Sequence, residues 1–370
     1  MTTVTETAGT LRHRLADHLR EIGALSSDRW HEAFAVVPRE VFVPQFSARD
    51  VAGAPRTFHA GDEGYLEAVY RDASLVTQVD AHGTASSSSS QPSLMARMLE
   101  ALRAEPGMTV LEVGAGTGYN AALLSHALGG GAVVSVDIDP DLVAAARQAL
   151  KAAGYRPTLV CGNGADGHPE RAPYDRLIAT CGVPRVPRAW RAQVRPGGAM
   201  VVNVGLGLAR LCVGEDGSAA GSFLDYSAFM PIRYAPTASA ATADQVLRET
   251  AGGGDRVEAR WPEGMSERAV VALRSLTMPG LREVTLSHAL GDETVWLDRA
   301  SWTRVRHRGD GRVTVVESGP RRLWAELVEV AERWAADGRR ELTSYELLVD
   351  PDGAHWLRMA GAAGPGRRLA

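Results

Sequence analysis

Cysteine is scarce in this chain: Cys161, Cys181 and Cys212 stand far apart among 370 residues. No C-x-x-C pair occurs, which excludes a disulfide framework and a cysteine zinc site, and each cysteine is expected to be a small buried hydrophobe. A basic excess is missing too. With 40 Lys+Arg against 44 Asp+Glu the formal net charge is -4, so nucleic-acid binding through bulk charge is excluded. Long apolar runs are absent. The stretches 107–113 and 131–136 fall far short of the roughly 20 residues of a membrane span, and residues 1–10 lack a basic-then-apolar signal. The expectation is a cytoplasmic protein with no membrane and no nucleic-acid partner, its oligomeric state left open. No internal repeat is visible. What is present, 45% hydrophobic and 23% charged residues, is ample for a core and long enough for two domains.

Apolar residues at Leu11, Leu15, Leu19 and Ile22 follow helical spacing, and a second short helix is expected over 30–37, ended by Pro38. Residues 39–84 mix proline, glycine and aromatics without sustained period and read as mostly loop. A serine run at 86–90 follows. Composition alone makes such a run a flexible linker, but it leads through Gln91-Pro92-Ser93 into a helix carrying Leu94, Met95, Met98, Leu99 and Leu102. That position sets serine hydroxyls and N–H groups at a helix N-terminus.

From Met108 strands (109–113, 132–136, 158–161) alternate with helices (119–128, 140–153), which predicts an α/β fold with a doubly wound parallel sheet and right-handed crossovers. Runs at 176–180, 199–204 and 208–213 extend the sheet, and Asp216-Gly217 marks a hairpin that adds an antiparallel edge. Beyond Pro231 the pattern breaks. An Ala/Ser/Thr-rich connector at 237–244 precedes six of the eight tryptophans (Trp261, Trp296, Trp302, Trp324, Trp334, Trp356). Short strands turning at Asp310-Gly311 and Asp352-Gly353 around an amphipathic helix over 321–336 predict a C-terminal α+β accessory domain, its tryptophans forming a small core. The expected division is an N-terminal helical cap with substrate loop (1–92), a Rossmann-like core (93–232) and the accessory domain (233–370).

The sharpest pattern is Leu111-Glu112-Val113-Gly114-Ala115-Gly116-Thr117-Gly118-Tyr119, a strand running into glycines that open a helix. Glycines there permit a tight turn and close approach of backbone to ligand, with a helix N-terminus behind. A nucleotide-like ligand is implied. A dinucleotide fingerprint needs glycine at the third place of G-x-G-x-x-G, where Tyr119 stands; Gly118 comes one residue early and acidic Glu112 precedes the first glycine. NAD and FAD are thereby disfavoured. The E-x-G-x-G-x-G form resembles the first motif of class I S-adenosylmethionine-dependent methyltransferases, whose ligand lacks a pyrophosphate and presents a cationic amino-acid end. Asp137 ends the next strand, where its carboxylate is placed to accept from both ribose hydroxyls; in isolation an aspartate there is equally a helix N-cap. Gly162-Asn163-Gly164 offers a side-chain amide for the adenine edge, although by itself it is only a turn signal.

Val37-Pro38-Arg39-Glu40-Val41-Phe42-Val43-Pro44, Val69-Tyr70-Arg71-Asp72, Ser90-Gln91-Pro92, the glycine motif, Gly162-Asn163-Gly164 and Ala172-Pro173-Tyr174-Asp175 occur in one order. In that order and approximate spacing they resemble protein-L-isoaspartate O-methyltransferases, over about residues 28–215. The resemblance implies S-adenosylmethionine as cofactor, a peptide or protein substrate, and cofactor contacts at Ser90, Met95, Glu112, Gly114, Gly116, Thr117, Gly118, Tyr119, Asp137, Ile138, Asn163 and Gly164. Three departures stand out. The family's Thr-Ile-Ser-Gln-Pro segment is replaced by a lengthened loop over 76–87 and serines, its Gly-Asp-Gly reads Gly162-Asn163-Gly164, and the Trp-rich region after Pro231 has no counterpart in the repair enzyme. All three resemble actinobacterial relatives that accompany ribosomally made peptide natural products such as lanthipeptides, lasso peptides and graspetides and methylate one aspartate in the peptide.

An Asp side chain with a reference pKa of about 3.9 is ionised at neutral pH, so methyl transfer to it needs alignment rather than a general base. Ser88, Ser89 and Ser90 suit that task, Ser90 foremost. The expected activity is therefore carboxyl O-methylation of an aspartate in a ribosomal, macrocyclic peptide, the ester closing to succinimide and hydrolysing to isoaspartate. Two alternatives stand beside it: isoaspartyl repair, and a catalytically silent cofactor-binding module that holds a peptide partner. Small-molecule methylation is weakened by the segments at 37–44 and 90–92. His59, His82, His168, His307 and His355 have no partner at ligand spacing and read as solvated or hydrogen-bonded loop residues, so no metal is expected. Arg321-Arg322 reads as a solvated face or, alternatively, an acidic-peptide contact.

Overall fold

The computed structural model describes residues 7–49, 53–81, 83–234, 243–288, 291–308, 310–364 and 366–369. The two N-terminal helices form where the apolar spacing puts them, α1 over Ala8–Glu21 and α2 over Asp28–Val36, with Thr7 and Ser27 hydroxyls accepting N–H groups as N-caps. The segment read as loop is instead structured. It holds α3 (Arg39–Phe42), β1 (Gln45–Arg49), β2 (Pro55–His59), α4 (Tyr65–Val69) and β3 (Leu75–Val79), and the serine run itself forms β4 (Ala85–Ser89). These strands make an antiparallel sheet in the order β2-β1-β3-β4. Five-residue strands are too short for their alternation to stand out, and long-range pairing decides them: Phe46 lies opposite Phe58, the rings stacked 5.2 Å apart and both buried.

The central sheet follows the predicted alternation. After α5 (Pro92–Leu102) come β5 (Val110–Val113), α6 (Tyr119–Leu128), β6 (Val133–Asp137), α7 (Pro140–Ala152), β7 (Thr158–Cys161), β8 (Tyr174–Val183), α8 (Arg188–Gln193) and β9 (Val194–Val204). Strands β5 to β9 run parallel in the spatial order β9-β8-β5-β6-β7. Every residue of β5 and β6 is buried, as expected for a sheet covered on both faces. The hairpin at Asp216-Gly217 joins β10 (Gly207–Val213) to β11 (Ala219–Tyr226) as an antiparallel extension.

The chain after residue 243 comprises α9 (Ala243–Glu249), β12 (Asp255–Arg260), α10 (Arg268–Thr277), β13 (Arg282–His288), β14 (Gly291–Leu297), β15 (Trp302–His307), β16 (Arg312–Ser318), α11 (Leu323–Ala336), β17 (Tyr345–Val349), β18 (His355–Met359) and β19 (Arg367–Arg368). Strands β12 to β16 build a second, five-stranded antiparallel sheet. Trp296 and Trp324 are buried against Trp261 there, ring centroids 6.3 and 6.1 Å away, so these tryptophans do form a small core.

The chain after residue 233 builds its own five-stranded sheet and also joins the main one. β17 pairs with β11, and β18 and β19 continue outward, giving one ten-stranded sheet. Alternation explains the covering helices. Val110, Val133 and Ile178 face α1, α2, α5 and α6, while Leu111, Val134 and Leu177 face α8, α10 and α11. Helix α11 serves two layers, with Leu323, Trp324 and Leu327 in the small core and Val330, Ala331 and Trp334 under the main sheet. Without the C-terminal chain, β11 would expose an unpaired edge and one sheet face would lose its cover. Among the described residues no helix is long and apolar enough to cross a membrane.

Of the solvated or hydrogen-bonded alternatives expected for His355, the second holds, although the residue is buried at the start of β18 instead of lying in a loop. Its Nε2 accepts the Val186 N–H at 2.9 Å and its Nδ1–H donates to the Gly353 carbonyl at 2.9 Å, an arrangement that requires the neutral ring. Burial lowers its pKa from 6.5 to about 4. A group depressed on folding stabilises fully above its unfolded pKa and loses that contribution as pH falls through the folded value. We expect the stability difference between wild type and His355→Asn, measured by urea denaturation, to be largest above pH 6.5 and to shrink as the pH approaches about 4.

Candidate functional site

The C-terminal ends of the parallel strands open into a cavity of about 760 Å³, roofed by the serine strand β4. β5 ends at Val113 and turns through Gly114, whose φ of +95° favours glycine and where a Cβ would lie 2.6 Å from Thr180 Oγ1. The Thr180 hydroxyl donates to the Gly114 carbonyl at 2.5 Å. The Gly116 N–H donates to Asp137 Oδ2 at 2.8 Å, and Asp137 Oδ1 accepts the Asp139 N–H at 3.1 Å. Asp139 then caps α7 through the N–H groups of Asp141 and Leu142. Burial opposes its ionisation, but the Leu142 N–H, Gln78, the Asp141 N–H and Arg233 outweigh that and hold the carboxyl below its usual range. Asp137 is thus the strand-end carboxylate, and capping falls to its neighbour.

Gly114, Gly116, Thr117, Tyr119, Asp137, Ile138, Gly164, Met95 and the serines all line this cavity. Three of the expected cofactor contacts do not. Glu112 is fully buried beneath it, accepting from Asn120 Nδ2 at 2.7 Å and from the Ser135 hydroxyl at 2.5 Å, and burial pushes its carboxyl up to about 7. It ties α6 and β6 to β5. Gly118 faces α7, where a Cβ would meet that of Ala146 at 3.1 Å, so its role is helix packing. Asn163 bonds the Ala165 N–H and Asp166, and its short helical turn, not its amide, borders the cavity at Gly164. Tyr119 does line it, yet the ring packs edge-on to Phe34 at 6.3 Å and its hydroxyl has no hydrogen-bond partner among the described residues.

β-strand alternation divides the serines. Ser87 and Ser89 are buried, whereas Ser88 and Ser90 are half-buried on the other side. Ser89, one of three expected catalytic serines, is committed elsewhere: its hydroxyl accepts from Arg39 Nη2 at 3.3 Å. The serine run also does not serve the N-terminus of α5. That end is taken by Asp72, which accepts the Ser93 N–H at 2.8 Å and Gln91 Nε2 at 3.2 Å.

Arg39 is fully buried with no carboxylate at ion-pair distance among the described residues. Nη1 donates to the carbonyls of Val69 (2.8 Å) and Arg71 (3.1 Å), and Nη2 to those of Ala73 and Ser90 (both 3.1 Å). Burial draws its pKa down to about 10, which leaves it charged at neutral pH. The guanidinium lies 5.8 Å from the Tyr119 ring centroid.

Several cavity residues carried no signal in the sequence. Asp225, Tyr226 and residues 227–233, which follow β11, form one wall, and α10 contributes Arg268, Val271 and Ala272. Only tertiary contact brings them there. Cys181 lines the cavity half-buried, its thiol pushed up to about 12 by burial; Cys161 and Cys212 are exposed, contrary to expectation, on an edge strand and on the hairpin. No histidine among the described residues lines the cavity. His59 is exposed, His168 pairs with Glu170 at 2.9 Å, His307 packs 4.4 Å from the Trp261 ring, and His82 lies outside the described residues. Among the described residues no His/Cys/Asp/Glu group is arranged to hold a metal. Arg321 pairs with Asp298 and Glu326, and Arg322 with Asp255 and Glu317, so both are neutralised within the chain.

The family described as Protein-L-isoaspartate(D-aspartate) O-methyltransferase (PCMT) matches residues 10–240, more than half of the chain. A protein-L-isoaspartate O-methyltransferase of Thermotoga maritima is 37% identical over 202 residues, covering 54% of this chain and 57% of the relative. One from Staphylothermus marinus is 36% identical over 202 residues, covering 52% and 79%. The chain thus spans a little over half the length of the Thermotoga relative. A solved structure titled protein-L-isoaspartate O-methyltransferase superposes with a TM-score of 0.56 at 25% identity, covering 94% of this chain and 99% of its own. That coverage corrects one expectation: the C-terminal region does have a counterpart in a protein carrying the isoaspartate name.

Arg39 gives a direct test of how the cavity is held. Replacing it with Met strands several buried carbonyls, and we expect a loss of at least about 3 kcal/mol in chemical denaturation. Arg39→Lys should recover only part, because three donors replace five.

Proposed function

Because the chain belongs to the Protein-L-isoaspartate(D-aspartate) O-methyltransferase family, we propose that it is an S-adenosylmethionine-dependent carboxyl O-methyltransferase acting on isoaspartyl residues of peptides or proteins. The observation that carries this reading is one cavity in which a glycine turn and Asp137 lie opposite a strand of neutral serine donors.

The residues present fit the cofactor. The volume lies within the range of small-molecule sites, Gly114 leaves a cradle that a Cβ would fill, and the buried Asn120 Oδ1 beside it has no partner among the described residues. Asp137 would accept from the ribose hydroxyls; Gly114, Gly116, Thr117, Ile138, Gly164 and Met95 would form the surrounding walls. When bound, S-adenosylmethionine supplies an electrophilic sulfonium methyl. The protein's own part is alignment and exclusion of water. Ser88 and Ser90 would orient the substrate carboxylate with neutral donors, which leave its charge available, and a carboxylate already ionised at neutral pH asks for no base. The lack of a histidine in the described cavity lining accords with that chemistry.

A methyl ester on such a residue is open to attack by the next backbone nitrogen, which forms a succinimide and expels methanol; hydrolysis then yields Asp or isoAsp. The same chemistry serves repair from isoAsp and modification of an aspartate. The narrower reading, an aspartate in a ribosomally made macrocyclic peptide, now rests on the serine segment and Asn163, since the C-terminal region no longer distinguishes it. A cytoplasmic setting is part of the same proposal.

Mass spectrometry of the enzyme with S-adenosylmethionine and matched linear Asp, linear isoAsp and ring-constrained Asp peptides separates these readings. Methyl gain on the isoAsp peptide is expected. Methylation confined to the constrained Asp peptide would shift the function to peptide modification, and no methyl gain with intact cofactor binding would indicate a silent binding module. For the cofactor, Asp137→Ala should weaken S-adenosylhomocysteine binding by roughly 10- to 100-fold in calorimetry, the loss of charge-assisted hydrogen bonds.

A further inference from the structure

Among the described arginines that line the cavity, two are paired with carboxylates and the third, on the wall supplied by the C-terminal chain, is not. Arg97 meets Asp225 at 2.5 Å and Arg233 meets Asp139 at 3.3 Å. Arg268, the first residue of α10, lines the same cavity, is exposed, and has no carboxylate at ion-pair distance among the described residues.

The N-terminus of a helix carries partial positive charge, which favours anions and disfavours a cation. Glu267, the N-cap, makes no side-chain cap hydrogen bond. Guanidinium and helix end both favour an anion here.

The guanidinium is nonetheless held. Its Cζ lies 4.0 Å from the centroid of the Tyr226 ring. Tyr226 is itself fixed, its hydroxyl donating to Glu341 at 2.5 Å and accepting the Leu342 N–H at 3.1 Å. The guanidinium makes no hydrogen bond among the described residues, which leaves its N–H groups free to take a carboxylate in bidentate fashion.

We propose that Arg268, seated on Tyr226, is the recognition site for a second carboxylate of the peptide substrate: an acidic side chain near the residue that is methylated. It is not suited to the reacting carboxylate, because a paired guanidinium would draw off the charge that attack on the methyl needs, whereas the serine hydroxyls are neutral. The assignment rests on the carboxyl-methyltransferase reading. It makes the C-terminal chain a determinant of substrate choice as well as the cover of the sheet, and it gives an acidic-peptide role to α10 instead of Arg321-Arg322.

The test uses the full chain and two fluorescein-labelled isoaspartyl peptides that differ only by Glu or Gln beside the isoaspartyl residue. Fluorescence anisotropy should give wild type an affinity ratio of about tenfold in favour of Glu, falling toward one in Arg268→Gln and partly restored in Arg268→Lys. Tyr226→Leu, which removes the stacking surface, should lower the ratio as well. Thermal unfolding of each variant reports folding, and the Lys variant carries the comparison should the Gln variant unfold. Equal affinities in wild type, or a ratio unchanged in Arg268→Gln, overturn the proposal. Mass spectrometry of the same mixtures with S-adenosylmethionine separates the two readings: a Glu preference lost in Arg268→Gln without methyl gain keeps the carboxylate site and removes the methyl-transfer reading, while methyl gain with no such preference does the reverse.

Discussion

A buried guanidinium satisfied by carbonyl oxygens holds the serine side of the cavity together. Arg39 draws the backbone at 69–73 and the end of the serine strand onto one charged centre, and charge-assisted hydrogen bonds with planar geometry fix both in direction as well as distance. The consequences spread outward. The 69–73 segment presents Asp72 to the N-terminus of α5, Ser89 is turned inward, and the alternation of the strand then leaves Ser88 and Ser90 on the other side. The Tyr119 ring beside Arg39 links that arrangement to the start of α6, and so to the glycine turn.

On the other side of the cavity the governing constraint is the need to cover a sheet. Parallel strands buried on both faces require two layers of helices, and here α10 and α11 supply much of the second layer. The C-terminal chain is thereby integral to the main core. Its strands β17 to β19 also extend the sheet edge, and its helix α10 arrives at the cavity because it has to lie across the strands below. Packing thus delivers Arg268 to the cavity wall.

The electrostatics divide along the same line. On the glycine side backbone N–H donors converge on Asp137 and Asp139, while on the serine side the donors are neutral and the far wall bears Arg97 and Arg233 in ion pairs and Arg268 without one among the described residues. Glu112 belongs to neither set. Its burial raises its pKa to about 7, and its bonds to Asn120 and Ser135 make it a brace between strand and helix.

The amino-acid sequence by itself determined the parallel core, because apolar runs broken by glycine and proline dictate strand and helix locally, and it placed Gly114, Gly116 and Asp137 at strand ends facing a common site. It also carried the family, through short motifs in fixed order. Tertiary structure alone decided the rest. The antiparallel sheet from Gln45 to Ser89 is built of strands too short to show a period, and pairing across distant segments selects them. Glu112, Gly118 and Asn163 share the motif of the cavity residues but not their environment, since neighbours from α6, β6 and α7 set which of them faces the ligand space and which is buried. Arg268 and the wall at 225–233 lie far along the chain from the glycine turn, and no local pattern encodes a contact made only when one helix closes over a sheet.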